Sequence, residues 1–223
     1  MRHLNRWSLI AGAAAVAAAL LASCSSMMPA KSGMGFFVTS VNPGQGGNLG
    51  GLAGADAHCQ QLATAAGAGS RSWRAYLSAQ PSNSGPGANA RDRIGRGPWI
   101  NAKGVLVASD LDQLHGSNQI TKQTALTERG AVINGRGDSP NTHDVLTGSQ
   151  PNGNFIAGEL NSTCGNWTMS DQGAAMVGHH DRSGLDDSTA AKSWNSSHQS
   201  RGCSADQLKS TGGSGLFYCF AAD

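Results

Sequence analysis

The chain has 223 residues, room for one domain of ordinary size with a short prelude and not for two large ones. Charge is scarce, at 13% of residues, and 31 glycines argue against a long-helix bundle, because each glycine inside a helix costs about 1 kcal/mol relative to alanine. A net charge of +2 with no dense Lys/Arg run sets aside nucleic acid as a partner, while 39% hydrophobic residues and five tryptophans set aside a disordered tail.

Residues 1–23 read as a secretory signal, with Arg2 and Arg6, then an apolar stretch from Trp7 to Ala22, then the small Ser23. Leu21-Ala22-Ser23-Cys24 resembles the lipobox of bacterial lipoproteins. The resemblance implies cleavage before Cys24, acylation of its thiol (palmitate among the chains) and firm attachment to a lipid bilayer, since one chain alone anchors only marginally. Ser25 stands where inner-membrane retention calls for Asp, which points to the outer membrane of a cell envelope. Loss of the signal leaves 14 basic and 14 acidic side chains, so the mature surface is neutral. Residues 24–33 form a flexible tether and residues 34–223 a single domain.

Gly35 to Ser40 reads as a first strand, closed by the Asn42-Pro43 turn. After a glycine-rich loop, Ala55, Cys59, Leu62 and Ala66 recur at helical spacing and predict a helix over about 54–66, stopped by Gly67. Ser72 to Ser78 alternates Trp73, Ala75 and Leu77 with Arg74, Tyr76 and Ser78, the pattern of a half-buried strand. Gly104 to Ala108 reads as a short strand, Ala108 to Leu114 as a turn or two of helix, and Gly215 to Ala221 as a last strand. The stretch from Gly116 to Arg201 is mostly Gly, Ser, Asn, Asp and Thr, too long to sit unpinned in a compact domain.

Five cysteines are an odd number. With Cys24 assigned to lipid, Cys59, Cys164, Cys203 and Cys219 remain for two bridges, and an oxidising compartment favours them. Four cysteines allow three connectivities, and spacing does not choose among them.

A first strand, a helix with the first cysteine, two cysteines flanking loop-rich text and a last cysteine in a C-terminal strand together resemble the C-type lectin-like fold. Within it the chain is similar to endostatin and bacterial endostatin-like lipoproteins. The likeness rests on Gly54-Ala55-Asp56 with Cys59, on Trp73 to Ser78, on Gly148-Ser149-Gln150-Pro151-Asn152-Gly153 before Cys164, and on Trp167 with the final Cys203 and Cys219. It implies an α+β fold: a mixed, twisted sheet, one main helix, a long loop-rich region and two nested disulfides, Cys59 with Cys219 and Cys164 with Cys203.

Three sets of residues offer binding chemistry. Gln150-Pro151-Asn152 and Trp194-Asn195 follow the order of the calcium- and sugar-binding segments of C-type lectins, although Ser196 replaces the acidic third residue. Arg74, Arg93 and Arg96, beside Trp99, form a basic edge that by the same resemblance would bind acidic glycans or protein. His179, Asp181 and His198, with the pair His143-Asp144 ahead of them, offer imidazole nitrogens and a carboxylate to zinc or another transition ion. Neighbouring strand residues face opposite ways, so only one of His179 and His180 can join such a site. The N-terminal zinc histidines of endostatin have no counterpart in the mature chain. No GxSxG, HExxH or P-loop pattern occurs, so the reading is a binding module without an obligatory cofactor. The competing reading is a metal-dependent or His/Asp hydrolase around His179, Asp181 and His198.

Overall fold

The structure, a computed structural model, describes Met1 and residues 33–83, 85–158 and 161–223. The signal, the lipobox with Cys24 and nearly all of the tether read from sequence lie outside the described residues. In chain order come β1 (Phe36–Val38), α1 (Gly51–Ala65), β2 (Trp73–Ala75), α2 (Ala90–Arg93), β3 (Trp99–Ile100), β4 (Leu106–Ala108) and α3 (Leu111–His115). They are followed by β5 (Asp144–Leu146), α4 (Cys164–Trp167), β6 (Met176–His179), β7 (His198–Gln199), α5 (Ala205–Lys209) and β8 (Gly213–Ala221). Among the described residues no helix is long and apolar enough to cross a membrane.

The class is α+β, with a mixed sheet ordered β1-β8-β5-β6-β7 and β2 also pairing with β8. β8 and β5 run parallel, and the other pairs are antiparallel. Side chains alternate along β8 between two apolar cores. Phe217, Cys219 and Ala221 join one with α1, while Leu216, Tyr218 and Phe220 join the other with Tyr76, Trp99 and Trp194. Burial on both faces corrects the half-buried strand expected over 72–78: from Trp73 to Ser78 only Arg74 is exposed, because a second aromatic layer covers Tyr76.

Helix α1 begins one turn earlier than its apolar spacing predicts and ends as predicted. Gly67 takes a left-handed φ of 80°, and the N–H groups of Gly67 and Ala68 return to the carbonyls of Thr64 and Ala63, closing a Schellman cap. The helix is tied to the sheet twice. Cys59 is bridged to Cys219 in β8, and Asp56 accepts from Arg74 Nη1 at 2.8 Å, from Arg93 Nη2 at 2.7 Å and from the Ala75 N–H at 2.9 Å. The second disulfide joins Cys164 to Cys203. In the chain-entropy account the outer bridge, over 160 residues, contributes about 5 kcal/mol and the inner, over 39, about 4 kcal/mol.

The loop-rich stretch is pinned by more than its bridge. It supplies β5, β6 and β7 to the sheet, and Trp167 donates its indole N–H to the Ser78 carbonyl at 2.8 Å. The α4 turn is left-handed throughout, with φ of 47°, 61°, 56° and 68° from Cys164 to Trp167. Three of its residues carry side chains for which this region is unfavourable, so the surrounding bonds must hold it in place.

Candidate functional site: a cluster of three histidines and an aspartate

Sheet register builds the site. Asp144 opens β5 and stands directly across from His179 in β6, while His198 in β7 stands across from Val177, two residues before His179. The side-chain period of two therefore turns Asp144, His179 and His198 to one face. His143, just before β5, stacks on the His179 ring with centroids 4.2 Å apart. Two glycines make room. A Cβ at Gly178 would lie 1.8 Å from the Trp194 carbonyl oxygen crossing over β6, and one at Gly212 would lie 3.0 Å from the His143 ring.

Asp144 Oδ1 is 3.2 Å from His143 Nε2, 3.3 Å from His179 Nε2 and 3.5 Å from His198 Nε2. The opposite ring nitrogens all face acceptors: His143 Nδ1 meets Asp181 Oδ1 at 3.2 Å, His179 Nδ1 the Ala191 carbonyl at 2.7 Å, and His198 Nδ1 the Gln199 carbonyl at 3.0 Å. Carbonyls and carboxylates only accept, so each Nδ1 carries a hydrogen; each Nε2 then faces Asp144 either as the second N–H of an imidazolium or, in a neutral ring, as a lone pair. Support of this kind is what metal-ligating histidines receive. Both Asp144 oxygens and His179 Nε2 are buried without a hydrogen-bond partner among the described residues. Three nitrogen lone pairs and a carboxylate repel one another at this range unless a cation, a proton on the ring or a metal ion, lies among them. With metal–ligand bonds of about 2.0–2.1 Å, donors of a tetrahedral zinc site stand about 3.3 Å apart, which is the spacing of Asp144 Oδ1 from each Nε2. His143, Asp144 and His179 each offer one donor atom within 4.8 Å of the others, and the partly exposed His198 stands outside that trio.

Asp144 is 2% exposed. Burial pushes its carboxyl up, but the facing imidazoles of His179, His198 and His143 outweigh burial and hold it below the usual carboxylate range. Contact with Asp144 in turn raises His198 against the opposing effect of burial. Asp181 is pushed up by burial and pulled further down by His143 and by the N–H groups of Arg136 and Ser183, so it stays ionised well below the ordinary range. His143, His179 and His198 line a cavity of about 790 Å³ whose rim includes Arg136, Leu185, Arg201 and Lys209. The His198 side chain, 38% exposed, is the open side of the cluster.

Of the residues singled out for metal, His179 and His198 come together, and Asp181 stands behind His143 instead of beside them. The carboxylate among the imidazoles is Asp144, which the sequence reading placed beside the cluster as the pair His143-Asp144 but passed over for Asp181, close to His179 along the chain. The signal that finds it is the pair His143-Asp144 ahead of the apolar Val145-Leu146, read together with strand pairing. His180 points away, with Nε2 at 3.2 Å from the Asn134 carbonyl, as strand alternation requires.

The other expected positions lie elsewhere. Arg74 and Arg93 are ion-paired with Asp56, Arg96 is exposed, and Trp99 is fully buried with its indole N–H donated to the Ala221 carbonyl. The Gln150-Asn152 and Trp194-Asn195 segments do meet, but they hold each other. Asn195 Nδ2 faces the Gln150 and Pro151 carbonyls and the Tyr76 hydroxyl, Gln150 donates to the Phe155 carbonyl, Asn152 Oδ1 accepts from the Asn154 N–H, and Trp194 is buried. No carboxylate is part of that set.

Neither protein-family models nor curated proteins yield a match to this chain.

Proposed function

We propose that this chain is an exported, lipid-anchored binding protein whose C-type lectin-like, endostatin-like domain holds one divalent transition ion between His143, Asp144, His179 and His198 and binds its ligand in the cavity above it. The observation that carries the reading is the convergence of three imidazole Nε2 atoms on one buried carboxylate oxygen at 3.2–3.5 Å. Three nitrogens and one oxygen favour zinc over calcium, which takes six to eight oxygens. The nested bridges and the helix tied to the closing strand are the features that support the lectin-like reading. Attachment at Cys24 to the outer membrane rests on the lipobox, and glycan or protein partners rest on the resemblance.

Binding is favoured over hydrolysis because Asp181, the carboxylate nearest the cluster after Asp144, is engaged with His143 Nδ1 and two backbone N–H groups and so is not poised as a base. Metal analysis of the purified chain after dialysis tests the centre. The expected result is one equivalent of zinc, lost in His179→Ala and in His198→Ala; a wild-type protein that retains no more zinc than these variants overturns it. For the anchor, Cys24→Ala releases the protein from membranes, and unchanged retention refutes lipidation.

A further inference from the structure

The same cavity carries a charge pattern that names the chemistry of its ligand. Arg136, Arg201 and Lys209 are all exposed at its rim, and their charged groups have no partner among the described residues. The basic edge expected from sequence differs in this respect, because Arg74 and Arg93 are already paired with Asp56. The single carboxylate lining the cavity is Asp186, which accepts from the Ser188 N–H. Three cations against one anion surround an opening whose floor is the three histidines, while Asp144 lies behind them, out of the lining.

We infer that the cavity takes a small molecule bearing an anionic oxygen group, a carboxylate or a tetrahedral oxyanion, which reaches the ion past the histidines and pairs with Arg201 and Lys209; this rests on the metal reading above. Burial of Asp144 on the far side of the cluster leaves the histidine side as the approach to the ion. A divalent ion beside one carboxylate keeps a net positive charge, which an anionic oxygen complements. Guanidinium and ammonium groups supply the second contact, the guanidinium as a fork that matches two oxygens. A volume of about 790 Å³ falls within the range of small-molecule sites, and Leu185, 90% exposed, with Ala190 and Ala191 adds an apolar wall for the remainder of the ligand.

The test uses the purified full chain loaded with cobalt(II), whose visible absorption reports its coordination. Inorganic phosphate, sulfate and acetate are titrated in turn, with glucose as an uncharged control. The expected result is uptake of one cobalt, a saturable spectral change with at least one of the anions and none with glucose. In Arg201→Ala/Lys209→Ala, both exposed positions that do not threaten the fold, the anion affinity falls about tenfold or more while one cobalt is still bound. Absence of cobalt uptake sinks the metal reading and this inference with it. Cobalt uptake with no response to any anion, or a response equally strong in the double variant, overturns this inference alone and leaves the metal centre standing.

Discussion

Two buried carboxylates, Asp56 and Asp144, show how one residue type becomes a staple in one region and a site in another. Asp56, 8% exposed, is surrounded by donors: two guanidinium groups and the Ala75 N–H satisfy its oxygens and lock α1 against β2 and α2. Asp144, 2% exposed, is surrounded by the Nε2 atoms of three rings whose Nδ1 atoms each face an acceptor on the other side. A buried anion with donors is complete in itself, whereas one facing lone pairs is complete only with a cation. The aromatic half of the molecule also satisfies its polar groups internally, as Tyr76, His115 and Asn195 do with one another. The β5-β6-β7 half holds its donors toward a cavity instead.

The sharpest way to break this contrast is to remove each carboxylate. Asp56→Ala strands the Arg93 guanidinium and the Ala75 N–H, and is expected to cost about 3–5 kcal/mol in urea unfolding while zinc content stays at one equivalent. A cost under about 1 kcal/mol would show that Asp56 is no staple. Asp144→Asn should act on the ion first. Zinc affinity falls by more than the roughly 100-fold that loss of a supporting group produces, and with a chelator present at pH 8 the variant is somewhat less stable than the parent, because a carboxyl held below its ordinary range contributes stability while ionised. Competition titration reads the first effect and thermal unfolding the second.

A smaller effect is expected one layer out. Asp181→Asn leaves all four donors in place but weakens the hold on His143 Nδ1, so zinc affinity should fall about tenfold with little change in unfolding. An unchanged affinity would show that Asp181 does not position that ring. The smallest effect belongs to the satisfied half. Burial, with Arg91 adding to it, lowers the pKa of His115 below its ordinary value despite the Leu111 carbonyl. A group with a lowered folded pKa keeps its neutral form on folding, so the stability it allows is present above the unfolded value near 6.5 and is lost as pH falls through it. The stability difference between the parent and His115→Gln should therefore shrink on acidification below about pH 6.5, and a constant difference would refute the assignment.

Much of this was legible in the residues themselves. Ala55 and Cys59 at helical spacing and Gly67 after them specify α1, and the apolar runs around Phe36, Trp73 and Phe217 specify strands that the structure contains. β5, β6 and β7 were not legible, because strands of two to four residues carrying Asp and His in glycine- and serine-rich text have no period to read. The centre divides in the same way. His179 and His198 stand out by type, but Asp144 acquires its role only through the register of β5 against β6, a relation between residues 35 positions apart that nothing local encodes. The arginines misled for the opposite reason: Arg74 and Arg93 look like a basic edge until Asp56 is placed between them.

The Cys164–Cys203 bridge encloses His179 and His198 and leaves His143 and Asp144 outside its ring. A cation held at the proposed centre would thus lace a covalently closed ring to a strand that the ring does not contain. Oxidation first would then shorten the search that brings the enclosed imidazoles to Asp144, whereas ion capture first would have to draw together an open chain. On the proposed reading, oxidant and metal supply would be coupled steps in making the protein.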